Sequence, residues 1–113
     1  MISLPPSVRI YLCADVVDGR MGIDALSGMV SSAFGLDPLC GHLFVFFAAR
    51  GRCARILFWD HNGFVLYSKR LERGRFSPPG EIPEGASHAV IEASELLLLL
   101  EGIDLRGAHK RPR

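Results

Sequence analysis

Apolar residues gather in three dense runs in the middle of the chain and recur at helical spacing on either side of them. Residues 43–49 (LFVFFAA), 54–59 (ARILFW) and 64–71 (FVLYSKRL) are rich in the aromatic and β-branched side chains that suit a pleated, half-buried surface. Arg50-Gly51-Arg52 separates the first two runs, and Asp60-His61-Asn62-Gly63 separates the next two. The Asn-Gly pair there supplies the positive φ that a tight hairpin turn needs. The three runs predict an antiparallel meander. In the third, Val65, Tyr67, Lys69 and Leu71 alternate with Phe64, Leu66, Ser68 and Arg70, so an apolar start gives way to charge on both faces.

Upstream, Pro5-Pro6-Ser7 leads into a strand predicted over 8–13. Ile23, Leu26, Val30 and Phe34 then follow one another at steps of three and four, which predicts a helix over 20–34 with Asp18 as N-cap and Gly35 as C-cap. Gly22 and Gly28 each cost that helix about 1 kcal/mol relative to alanine, so packing against the sheet must hold it. Downstream, Ser77-Pro78-Pro79-Gly80, Pro83 and Gly85 mark an irregular connector. A short strand is expected over 88–91 and a helix over 93–101, closed by Gly102. Five consecutive leucines, Leu96 to Leu100, run around that helix, so it is expected to be buried on more than one side, under the sheet or in a subunit contact.

These elements define an α+β fold over residues 1–105. One largely antiparallel sheet, in the order strand, helix, three-stranded meander, short strand, helix, carries two covering helices. Residues 106–113, RGAHKRPR, have no apolar anchor and read as a disordered basic tail. A chain of 113 residues fits one domain, long enough to bury roughly two-thirds of its unfolded surface. Cys13, Cys40 and Cys53 are odd in number and form no C-x-x-C pair, which points to a reduced, cytoplasmic setting. Pro5, Pro6 and Arg9 interrupt the start where a signal peptide would be apolar, and no apolar run approaches the ~20 residues of a membrane span.

The net charge of +1 conceals strong local imbalance. Between Arg50 and Arg75 stand seven basic residues and two acidic ones, residues 80–104 carry six acidic and no basic side chains, and the tail carries four basic ones. A polyanion feels such a local field even when the net charge is small. Antiparallel pairing brings the turn at 50–52 and the end of the third strand to one end of the meander. Arg50, Arg52, Arg55, Lys69, Arg70, Arg73 and Arg75 are therefore the candidate nucleic-acid-binding residues. Charged residues also blunt exposed strand edges, which is the competing structural use of such a stretch.

Chemistry of other kinds has little support. Asp60-His61 is the one compact pair of catalytic residue types, and it sits on a turn where such residues ordinarily bond their own backbone. Trp59 is accordingly expected to be largely buried and Asp60 to bond the amides of the Asn62-Gly63 turn. His42, His61, His88 and His109 show no metal spacing, and Gly19-x-x-Gly22 lacks the third glycine of a dinucleotide loop. The expectation is a non-enzyme with no catalytic residue, metal or cofactor.

Five blocks, in order, carry a resemblance. They are Asp18-Gly19-Arg20-Met21-Gly22-Ile23-Asp24-x-Leu26; Gly41-His42-Leu43-Phe44-Val45-Phe46; Trp59-Asp60-x-x-Gly63-Phe64; Lys69-Arg70-Leu71-Glu72-x-Gly74-x-Phe76; and Leu99-Leu100-Glu101-Gly102-Ile103-Asp104. Together they span nearly the whole chain, which resembles the second-reading-frame (TnpB) accessory proteins of the insertion sequence sixty-six family of bacterial mobile elements. The resemblance implies a non-catalytic role in transposition, beside a separate transposase that supplies the phosphoryl-transfer carboxylates. Its implied partners are DNA, the transposase or another accessory subunit of the same element, and a second copy of the chain, with no membrane. The alternative it leaves is an adaptor that recruits the transposase without touching DNA. Family members usually carry an arginine cluster where this chain has Ala48-Ala49-Arg50, lysine at Arg55, Trp-Pro at Ser77-Pro78, and Ser or Thr at Glu92.

Overall fold

In the computed structural model, which describes residues 7–77 and 82–101, the central strand is apolar at every position. Strand β2 (Leu43–Ala48) is buried at every position, on both faces. A strand covered on both sides reads as a continuous apolar run, and its neighbours must supply cover above and below. The meander continues into β3 (Cys53–Asp60) and β4 (Gly63–Arg70), as expected. On the other side of β2 lies β1 (Ile10–Cys13), followed at the edge by β5 (His88–Ile91). The sheet order is β4-β3-β2-β1-β5.

All neighbours are antiparallel except β1 and β2, which pair in parallel from Ile10↔Leu43 to Leu12↔Val45. Parallel neighbours need a crossover, and helix α1 (Ile23–Met29), continued by a wider turn over Val30–Phe34, provides it. Gly35 ends it at φ 69°, the left-handed cap expected from the sequence. Helix α2 (Ala93–Leu100) follows β5, and the Glu92 N–H donates to Glu95 Oε1 at 2.8 Å at its start.

Strand alternation divides the core between the two helices. Ile10, Leu12, Val45, Phe47 and Ile56 face α2, where Leu96 and Leu99 meet them. Tyr11, Cys13, Phe44, Phe46 and Leu57 face α1 and pack with Leu26, Val30 and Phe34. The leucine run of α2 is only partly buried: Leu97 and Leu98 are 56% and 39% exposed.

Three local expectations are corrected. Helix α1 starts at Ile23, with Gly22 as N-cap, because Asp18 is engaged elsewhere: its Oδ1 accepts the Arg20 N–H at 2.9 Å in a tight turn ahead of the helix. The hairpin loop is His61-Asn62, and its positive φ falls on His61 (62°), not on Asn-Gly; the main-chain carbonyl of Asp60, not its carboxylate, accepts the Asn62 N–H. Trp59 is half-buried, edge-on to Phe64 with ring centroids 5.1 Å apart, since it lies near the end of β3 beside an edge strand. The expected Gly102 cap and the basic tail lie outside the described residues.

Strand β2 ends because Ala49, Arg50 and Gly51 all turn left-handed, at φ 53°, 59° and 89°. Only glycine takes that region without a Cβ penalty. Ala49→Gly is expected to raise stability by about 1 kcal/mol, and Gly51→Ala to lower it by a similar amount. Urea unfolding midpoints of the two variants check both signs.

Candidate nucleic-acid interface

The end of the sheet where β2 leaves and β4 finishes is built on main-chain anchors. Cys53 pairs with Arg70, and the chain beyond Arg70 stays docked: Leu71 N–H donates to the Arg52 carbonyl at 2.9 Å, and Phe76 N–H to the Gly51 carbonyl at 2.8 Å. Phe76 is buried and packs on Phe47, ring centroids 5.8 Å apart. Residues 72–75 thus form a short loop pinned at both ends, with Gly74 at φ 74°. A Cβ on Gly51 would come within 3.5 Å of the Arg75 Cβ, so the stem of Arg75 lies across that glycine.

This arrangement brings Arg50, Arg52, Arg70, Arg73 and Arg75, all exposed, to one end of the sheet, with Glu72 among them. Arg55 and Lys69 stand apart from the cluster. Arg55 reaches across the α1 face, where its Nη1 donates to the carbonyls of Gly19 (3.3 Å) and Met21. Its buried Nε meets no acceptor among the described residues. Lys69 turns onto the other face, and its Nζ donates to the Leu100 carbonyl at 2.8 Å. A cation there satisfies an end carbonyl of α2 and complements the negative pole of the helix.

Sequence reasoning did not place Arg20 here. The turn that carries it is tied to β2 through the Val17 N–H, which donates to the Phe47 carbonyl at 2.8 Å, and to β3 through Arg55. Arg20 is paired with Asp18 at 3.0 Å, both exposed, so the pair adds no net charge. The Arg20 hydrogen bonds hold the Asp18 carboxyl below the usual carboxylate range. A depressed carboxylate stabilises above that range, and the contribution is lost as the pH falls through the lowered pKa. Burial pushes the Cys13 thiol up, which leaves it a poor nucleophile.

At the opposite end of the strands lie Asp37, Asp60, Glu92 and Glu95, beside Arg9. The described residues therefore carry a charge dipole along the strand direction. No helix among them is long and apolar enough to cross a membrane.

A family model described as IS66 Orf2 like protein matches residues 8–110. The chain belongs to that family. Membership implies an accessory role in the transposition of an insertion sequence. Two proteins of Sinorhizobium fredii, both named as uncharacterized, are similar over nearly their whole length. Protein y4jC is 37% identical over 112 residues, covering 99% of this chain and 93% of its own. Protein y4hO is 37% identical over 106 residues, covering 94% and 90%. No solved structure matches the chain.

The family's sequence blocks acquire physical roles in this fold. The Asp18 block is the turn and start of α1, and the Trp59 block is the hairpin. The Lys69 to Phe76 block is the pinned basic loop, closed by its buried phenylalanine. Ala48, at the end of β2, is 1% exposed and lies next to Gly19 of the Asp18 turn.

Arg55 is therefore expected to act on the fold. Arg55→Ala removes the charged donor from two carbonyls and should lower unfolding free energy by about 1.5–3 kcal/mol. Arg55→Lys should recover part of that loss. Denaturant unfolding of both variants is the check.

Proposed function

We propose that the protein serves transposition by holding duplex DNA through Arg50, Arg52, Arg70, Arg73 and Arg75, without catalysing a chemical step. The observation that carries this reading is the convergence of five exposed guanidiniums on a turn and loop whose backbone is pinned at Arg52, Gly51 and Phe76. Arginine stays charged in any surrounding and presents a planar fork that matches phosphate oxygens. Among the described residues neither a groove-entering helix nor a set of base-reading amides accompanies the cluster, so phosphate contact without sequence choice is what it suits. Residues 106–113 lie outside the described residues; their four basic side chains add to the same electrostatic attraction. The resident transposase of the element supplies the strand-transfer chemistry.

The test is the salt dependence of duplex binding. Each phosphate neutralised contributes about −0.9 to the slope of log affinity against log salt, so three to five contacts predict roughly −3 to −4.5. Arg73→Glu with Arg75→Glu should flatten the slope by about 2 and weaken all sequences alike. A protein that shifts no duplex even at ~20 mM salt, where screening is weakest, overturns the proposal.

A second reading, an adaptor for the transposase, is favoured by the exposed Leu97 and Leu98 on α2. Replacing both with lysine would then abolish co-purification with the transposase and leave duplex binding intact.

A further inference from the structure

Strand β4 closes one side of the sheet, and its outer edge has no neighbour among the described residues. In an antiparallel pair, successive residues turn their N–H and C=O groups alternately toward the partner and away from it. The Leu71 N–H on the Arg52 carbonyl fixes the phase. Counting back along the register, Lys69, Tyr67, Val65 and Gly63 bond inward to Ala54, Ile56, Phe58 and Asp60. Phe64, Leu66, Ser68 and Arg70 therefore present their main-chain donors and acceptors outward.

Natural edge strands are ordinarily protected by shortness, proline, a bulge or a lysine held along the edge. Here β4 spans eight residues, contains no proline and pairs with β3 in unbroken register. Its lysine is withdrawn, since Lys69 Nζ is bonded to the Leu100 carbonyl on the α2 face. Val65 and Tyr67 lie on that same face, 37% and 38% exposed. The edge is long, regular and apolar at its centre, with charge only at one end.

We infer that the β4 edge pairs antiparallel with the β4 edge of a second copy of this chain, about a two-fold axis through Tyr67. The distribution of charge selects this occupant and direction. A parallel neighbour would set Arg70 beside Arg70, whereas an antiparallel one sets Arg70 at the partner's hairpin end, which carries Asp60. A two-fold perpendicular to the sheet keeps like faces together and requires paired residues of the same pleat. Centring it on Tyr67 sets Phe64 opposite Arg70 and Leu66 opposite Ser68, so that all four outward residues bond. Centring it on Leu66 leaves Arg70 beyond the paired strand. In the Tyr67 register the two tyrosines face each other, Val65 meets the stem of Lys69, and the aliphatic stem of Arg70 lies against the partner's Phe64 ring with its guanidinium left to solvent. The pair makes one ten-stranded sheet.

A second consequence rests on the DNA-binding reading. An antiparallel pair carries its two basic ends at opposite ends of the joined sheet, facing apart. Such a dimer holds two duplexes rather than gripping one.

The experiment follows self-association of the full chain by analytical ultracentrifugation across a concentration series. A monomer–dimer equilibrium is expected. Ser68→Pro removes one outward N–H at a position where an edge strand tolerates proline, and Tyr67→Lys sets two ammonium groups face to face; both should give monomers with unchanged far-UV circular dichroism. In a Cys40→Ser background, which removes the exposed native thiol, Tyr67→Cys should form an intermolecular disulfide on mild oxidation and Val65→Cys should not. A strict monomer at every concentration, or a dimer that survives both substitutions, overturns the pairing. The DNA arm is separate: wild-type protein should bring two differently labelled duplexes together, and Ser68→Pro should bind each with the same salt slope but no longer join them. A dimer that binds no duplex defeats the DNA reading and leaves the edge pairing standing; a dimer that binds duplexes one at a time defeats the bridging.

Discussion

Everything in this fold depends on a strand with no solvated face. The six residues of β2 are buried on both sides, and a sequence of that kind is stable only when apolar cover arrives above and below. The two helices supply it from different directions in the chain: α1 as the crossover between β1 and β2, α2 after the sheet is complete. The parallel pairing of β1 with β2 follows, because a strand returning from a helix on one face re-enters the sheet in its original direction. Once β2 is central, its ends become the places where the chain must reverse. One of those reversals is the left-handed turn that carries Arg50 and Arg52.

That turn links the core to the candidate interface. Three successive left-handed residues are unfavourable on their own, and their neighbours hold them: the Leu71 and Phe76 amides bond the Arg52 and Gly51 carbonyls, and Phe76 is locked in place against Phe47. Core packing thereby fixes the backbone of a loop whose side chains are solvated. The guanidiniums are solvated while their attachment points are held by main-chain hydrogen bonds, so the proposed contact with a polyanion would cost little backbone ordering.

Much of this architecture was legible in the residues. Aromatic and β-branched density located β2, β3 and β4 to within one residue at either end, and the 88–91 strand and the final helix were placed by their flanking glycine, proline and capping signals. Convergence of the 50–52 turn with the end of β4 follows from antiparallel pairing alone. The insertion of β1 between β2 and β5 was not legible, since nothing local records which distant strand is adjacent. Nor were the roles of Arg55 and Lys69, because their acceptors lie 36, 34 and 31 residues away in the chain. A sequence shows that a side chain is charged; it does not show that a remote carbonyl has already claimed the charge. Asp18 illustrates a local version of the same limit, as an N-cap and an Asx turn use the same residue type a few positions apart.

The diversion of Arg55 and Lys69 clarifies how β4 divides its work. Its basic end belongs to the arginine cluster, its apolar middle lies on an open edge, and the one residue that would ordinarily deter pairing there is bound to the end of α2. Lys69 is suited to that post, since a flexible stem with a compact ammonium reaches a single carbonyl, whereas the Arg55 guanidinium serves two. The five positions left at the sheet end are all arginine. Lysine would carry the same charge at each of them; what arginine adds is a planar fork that matches paired oxygens, the geometry on which the proposed phosphate contacts rest.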